Sequence, residues 1–75
     1  MEKGWTKIRT YNRALEAEIV KQMLVENEIH AVILNKQDSS YLFGKIELYV
    51  AEENVDLANQ LIDQSQDLIQ EDNAN

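Results

Sequence analysis

The densest run of reactive side chains in this chain is Asp38-Ser39-Ser40-Tyr41, bracketed by Lys36 and Lys45. A serine hydroxyl becomes a nucleophile when a neighbouring base takes its proton, and no histidine follows this run to act as that base. Ser-Ser and Asp are also favoured in turns, where their side chains bond nearby backbone groups. Turn chemistry is the expectation here. His30 is the chain's one histidine, and there is no cysteine. It lacks the companions a metal site needs and reads as a surface residue beside Glu28. Glu52 and Glu53 could face a cation, but the spacing of a calcium loop is missing. Lys36 and Lys45 could hold an anion, yet no glycine-rich cradle accompanies them. No catalytic set, metal site or cofactor is expected, and no residue pair has the base-plus-nucleophile logic of an enzyme.

What remains is contact chemistry. Tyr41-Leu42-Phe43 is an apolar trio inside the otherwise polar segment from Asn35 to Gly44. Such a trio either folds over the end of a small core or offers aromatic anchors to a partner, and one loop can do both. The candidate interaction or ligand residues are Trp5, Asn35, Lys36, Asp38, Ser39, Ser40, Tyr41, Phe43, Lys45 and Tyr49.

The stretch that must position them is Gly44-Lys45-Ile46-Glu47-Leu48-Tyr49-Val50. Ile46, Leu48 and Val50 fall on one side of an extended chain and Lys45, Glu47 and Tyr49 on the other, the period of a half-buried strand. Trp5 to Tyr11 alternates too, with Trp5, Lys7, Arg9 and Tyr11 opposite Thr6, Ile8 and Thr10. Its β-branched and aromatic content favours a strand, and its two basic residues suit an edge. Ile29 to Asn35 is a short, β-branched apolar run, hence another strand, the second in chain order.

Between the first two strands, Ala14 to about Asn27 reads as a helix with Asn12 as its N-cap. Leu15, Ile19 and Met23 define its buried stripe, widened by Val20 and Leu24, with Ala17 beside them. After Val50, the acidic cluster Glu52, Glu53 and Asp56 marks a helix start, where the dipole favours negative charge. Val55, Ala58, Leu61, Ile62 and Ser65 supply that helix's inner face.

The order strand, helix, strand, strand, helix predicts an α+β fold: a truncated ferredoxin-like plait, β-α-β-β-α. Its sheet should run in the order 1-3-2, the third strand antiparallel between the others, with both helices on one face. The other face would carry Trp5, Lys7, Arg9, Tyr11, Lys45, Glu47 and Tyr49. So aromatic a face asks for cover by a protein partner, with a homodimer as one form of it. Residues 1–69 form the expected domain and 70–75 a flexible acidic tail.

Fourteen acidic residues against seven basic give a net charge of −7. Such a surface repels phosphate backbones, so nucleic acid is not an expected partner. No apolar run approaches the roughly 20 residues of a membrane span. The first residues lack the basic and apolar regions of a signal peptide, and a cytoplasmic location is the expectation.

Trp5 with its strand, Glu16-Ala17-Glu18-Ile19-Val20-Lys21-Gln22-Met23-Leu24, the helix exit Asn27-Glu28-Ile29, the strand Gly44 to Val50 and the helix Ala58 to Ile62 together resemble a known family. It comprises small bacterial domains catalogued as putative prokaryotic signal-transducing proteins, of unknown function. The likeness covers roughly residues 5 to 63 and rests on structural motifs. It departs at Glu28, where such domains often have glycine. The family is considered similar to the nitrogen-regulatory P-II proteins, plaits that sense small molecules as trimers. The resemblance implies a ferredoxin-like fold, while the absence of a catalytic set and the aromatic face point to a regulatory, non-enzymatic role through protein contacts. A metabolite or nucleotide sensor of P-II-like type is the alternative, with ligand near the loop and Lys36 or Lys45. This chain lacks the long regulatory loop and final strand of true P-II proteins.

Overall fold

A computed structural model describes residues 4–36 and 45–73, with 66–73 as backbone alone. Its elements are β1 (Trp5–Tyr11), α1 (Ala14–Glu26), β2 (Ala31–Asn35), β3 (Ile46–Ala51) and α2 (Val55–Asn73), the last entered through a 3₁₀ turn at Glu52–Asn54. Among the described residues the sheet has three strands in the order β1-β3-β2, and β3 is antiparallel to both neighbours. The expected β-α-β-β-α plait is therefore the observed one. Of the acidic stretch 70–75, residues 70–73 continue the backbone of α2, and 74–75 lie outside the described residues.

The core lies between the sheet and the helices. Ile46, Leu48 and Val50 of β3 are almost wholly buried against Ala17 and Leu24 of α1 and Ala58 and Ile62 of α2, with Ile8 and Ile33 packed around them. Both helices therefore cover one face. The surface of α1 that does so is narrower than expected: Ala17, Val20, Met23 and Leu24 face the core as expected, whereas Leu15 and Ile19, expected with them, are 72% and 56% exposed. Ala17 has no bulk to hold the helix off the strands, so the helix settles on that side and turns Leu15 away. Asn12 is not the cap either. Arg13 occupies the cap position, with no side-chain bond to the first turn.

β1 also departs from simple alternation. Its register on β3 slips between Lys7 and Arg9: Lys7 lies opposite Tyr49, and Arg9 opposite Leu48. Ile8 is thus the extra residue of a β-bulge, which reverses the faces of everything after it. Trp5 and Lys7 keep the face away from the helices. Arg9 and Tyr11, expected beside them, turn to the helix side instead. Tyr11 is 8% exposed within the core. Arg9 reaches α2, donating to Asn59 Oδ1 at 2.7 Å and pairing with Asp63 at 3.3 Å.

The exit of α1 is a Schellman turn. The Ile29 N–H donates to the Leu24 carbonyl and the Glu28 N–H to the Val25 carbonyl, both at 2.9 Å, the paired bonds of that motif. Leu24 and Ile29 are both buried, the apolar contact that accompanies it. Glu28 takes the left-handed position at φ +65°, which suits glycine far better than a residue with a Cβ. The left-handed conformation costs an L-residue about 1–2 kcal/mol, and the greater freedom of an unfolded glycine takes back part of that. Glu28→Gly is therefore expected to stabilise the protein by about 0.5–1 kcal/mol. Urea unfolding followed by circular dichroism checks the sign.

Candidate functional site

The sheet face turned away from the helices is built around Glu47. β3 alternates, so the burial of Ile46 and Leu48 on the helix side sends Glu47 and Tyr49 to the other. Glu47 sits in the middle strand, directly opposite Thr10 on β1 and Leu34 on β2. No helix covers this face among the described residues, yet the Glu47 side chain is only 7% exposed. Its neighbours roof it. The Tyr49 hydroxyl donates to Oε1 at 2.9 Å, Lys7 Nζ lies 3.3 Å from Oε2, and Lys36 Nζ lies 3.4 Å from Oε1. The Lys7 and Lys36 side chains are themselves 50% and 55% exposed, so this roof is half in water.

This arrangement holds Glu47 as an anion. The hydrogen bond from Tyr49, followed by those from Lys7 and Lys36, lowers its pKa below the ordinary glutamate value against the opposing effect of burial. The same bond, with burial and the charge of Glu47, raises the pKa of Tyr49. A carboxylate pushed further from neutrality is poorly matched to proton transfer near pH 7. What it does well is tie three strands together, since Lys7 comes from β1, Tyr49 from β3 and Lys36 from the end of β2.

The sign of the pH dependence follows. A glutamate pKa lowered in the folded state contributes stability that is present above its unfolded value, about 4.3, and is lost as pH falls through the folded pKa. The raised Tyr49 pKa acts at the other end: its contribution is complete below about pH 10 and is lost as pH rises through the folded value. Glu47→Gln is expected to lower stability at neutral pH and to flatten both limbs. Chemical unfolding from pH 3 to pH 11 measures this, and parallel curves for the two proteins would refute it.

Around this polar centre the face is apolar on the β2 side and at the Trp5 end, with Lys7 and Thr10 beside it on β1. Trp5 lies opposite Ala51, Lys7 opposite Tyr49, and Val32 opposite Tyr49 from the other side. Leu34, beside Glu47, is 37% exposed. Of the residues proposed from sequence, Trp5, Lys36 and Tyr49 share this face, and Lys36 and Tyr49 meet at Glu47. Asn35 ends β2 and is exposed, opposite Ile46. Lys45 is exposed, and its carbonyl accepts the Lys36 N–H at 2.8 Å, the rung from which residues 37–44 depart. Asp38, Ser39, Ser40, Tyr41 and Phe43, along with Gly44, lie outside the described residues.

Glu47, Lys7, Val32 and Leu34 were absent from the sequence-derived list. The signal for the first two was present: Glu47 and Tyr49 two apart on one strand face, with a lysine on the neighbouring strand. His30 is exposed at the start of β2. Among the described residues, no group of three or more histidine, cysteine or acidic side chains could hold a metal ion. No helix there is long and apolar enough to cross a membrane.

The chain belongs to the family described as "Putative prokaryotic signal transducing protein", whose match covers residues 5–66. No curated protein and no solved structure matches it.

Proposed function

We propose that this family member is a non-enzymatic regulatory module of the bacterial cytoplasm that works by docking a protein segment on its open sheet face. One observation carries the reading: apolar Trp5, Ala51, Val32 and Leu34 flank an internally neutralised centre at Glu47 on the β2 side and at the Trp5 end, with Lys7 and Thr10 on its β1 side and no covering element among the described residues. Such a face favours a partner that brings its own apolar side chains. The centre needs no countercharge, since the lysines already supply it. Aromatic side chains that become buried at an interface supply much of its energy, about 2 kcal/mol or more for the strongest. Trp5→Ala in the full chain is expected to lose most of its partner capture from a native bacterial extract. Glu28→Gly, at the helix exit, should retain it. Equal capture by both variants would remove the open face as the docking surface.

A small-molecule sensor is the second reading, favoured by Lys36 and Lys45 facing each other across the last rung of the sheet. Against it, the Lys36 ammonium is already paired with Glu47. Thermal-shift screening against nucleotides and phosphorylated metabolites separates the two, because a sensor must be stabilised by its ligand.

A further inference from the structure

The two edges of the sheet are unlike. β1 is defended against strand addition in three ways: a bulge at Ile8, the exposed charge of Lys7, and Arg9 drawn onto α2. Bulges and edge charges are the usual devices that stop one sheet from pairing with another. β2 has neither. Ala31-Val32-Ile33-Leu34-Asn35 contains no charge and no proline, and its register on β3 is unbroken. On a chain with a net charge of −7, this is a neutral strip along an otherwise acidic molecule.

The direction of its backbone groups follows from one bond. The Lys36 N–H donates to the Lys45 carbonyl, so that pair is hydrogen-bonded, and bonded and non-bonded pairs alternate along an antiparallel ladder. Leu34 and Val32 therefore also bond inward to β3, while Ala31 and Ile33 turn their N–H and C=O groups outward. No described residue takes them.

We infer that a second copy of this chain pairs with this edge, β2 against β2, to make a continuous six-stranded antiparallel sheet. A two-fold axis normal to the sheet keeps each residue on its own face, so only residues of equal parity can stand opposite each other. With the axis at Ile33, the two Ile33 residues exchange both outward backbone bonds. Val32 then packs against Leu34 of the second copy on the open face.

The helix above agrees with this register. Val25 shares a surface concavity with His30 and Ala31, which sets that flank of α1 on the β2 side, and Glu18 and Lys21 share a second concavity with Val25. Ile33 is four residues beyond Ile29, about 13 Å along the strand, which equals about nine helical residues. Counting back from the helix exit puts the axis close to Glu18 and Lys21. The two copies of α1 run antiparallel across it, bringing Glu18 of one toward Lys21 of the other. This pairing would join two open faces into one, with Val32 and Leu34 at the seam and Trp5 away from it.

Sedimentation velocity of the full chain over a concentration series tests the inference, and a dimer is expected. Leu34→Lys places a charge opposite Val32 of the other copy on a half-exposed site, where the monomer tolerates it. It should weaken the dimer by about tenfold or more while leaving the circular dichroism spectrum unchanged. Because the chain has no cysteine, a single one reports the register. Two Ile33→Cys copies would bring their Cα atoms to about 5.5 Å, within disulfide range, and should cross-link on oxidation. Leu34→Cys copies, displaced along the strand to about 8 Å, should not. A wild-type monomer at every concentration would overturn the proposal. So would a dimer indifferent to Leu34→Lys, a dimer abolished by Trp5→Ala alone, or equal cross-linking by the two cysteine variants.

Discussion

Leu48→Ala is expected to remove a large part of the protein's stability at room temperature. Leu48 is the middle of the inward row on the central strand, has no exposed surface, and lies in the cluster that joins α1 and α2. Truncating such a leucine costs about 2–5 kcal/mol, from lost transfer energy and the cavity left behind. A domain of 75 residues has a total stability of about 4–11 kcal/mol, so the loss consumes a large part of the whole. Collapse of the helices into the gap is resisted because both are already seated on the neighbours of Leu48, Ile46 and Val50. The control is Leu15→Ala, the same chemistry on the outward face of α1. With Leu15 72% exposed, the change should stay within about 0.5 kcal/mol. Urea titrations of the two variants decide the orientation of α1 as well as the weight of the core. Comparable losses would mean that Leu15, as its spacing first suggested, faces the sheet.

That contrast shows what the sequence could and could not convey. The strand order follows from element order and from the unambiguous alternation of Ile46, Leu48 and Val50, which leaves β3 one buried face and hence a central place. The helix face was ambiguous because α1 is apolar nearly all round. Leu15-Ile19 and Val20-Leu24 are both plausible partners for Met23 in a stripe, and what selects between them is the small volume of Ala17 against the sheet, a property of packing and not of period. The bulge at Ile8 carries no local sign at all. Trp5 to Tyr11 alternates without interruption, and the slip becomes visible only against the register of β3. Likewise Glu47 could be placed on the open face by parity, but its burial depends on Lys36 reaching in from β2. That contact spans two strands and has no signature in local spacing.

The largest consequence of the bulge falls on Tyr11, and it separates the observed register from a regular one. In an unbroken β1, Tyr11 would share the open face with Trp5, and truncating either would expose or remove a surface ring. In the observed register Tyr11 lies opposite Ile46 and is buried with it. Tyr11→Ala should then cost about 3–5 kcal/mol, as for other buried aromatics, whereas Trp5→Ala, on the outer face, should cost markedly less. The hydroxyl allows a second test. It is buried and meets no hydrogen-bonding partner among the described residues. Burial dominates its titration: desolvation raises the Tyr11 pKa, with the nearby charge of Arg9 opposing it and Glu16 adding to it. An unpaired buried hydroxyl carries a desolvation cost of about 1–3 kcal/mol, so Tyr11→Phe is expected to be neutral or stabilising even though Tyr11→Ala is severe. A surface tyrosine would show neither the large loss nor the opposite responses. If Tyr11→Ala and Trp5→Ala unfold at the same urea concentration, the extra residue at Ile8 is not where the register places it, and Arg9 returns to the face where Lys7 stands.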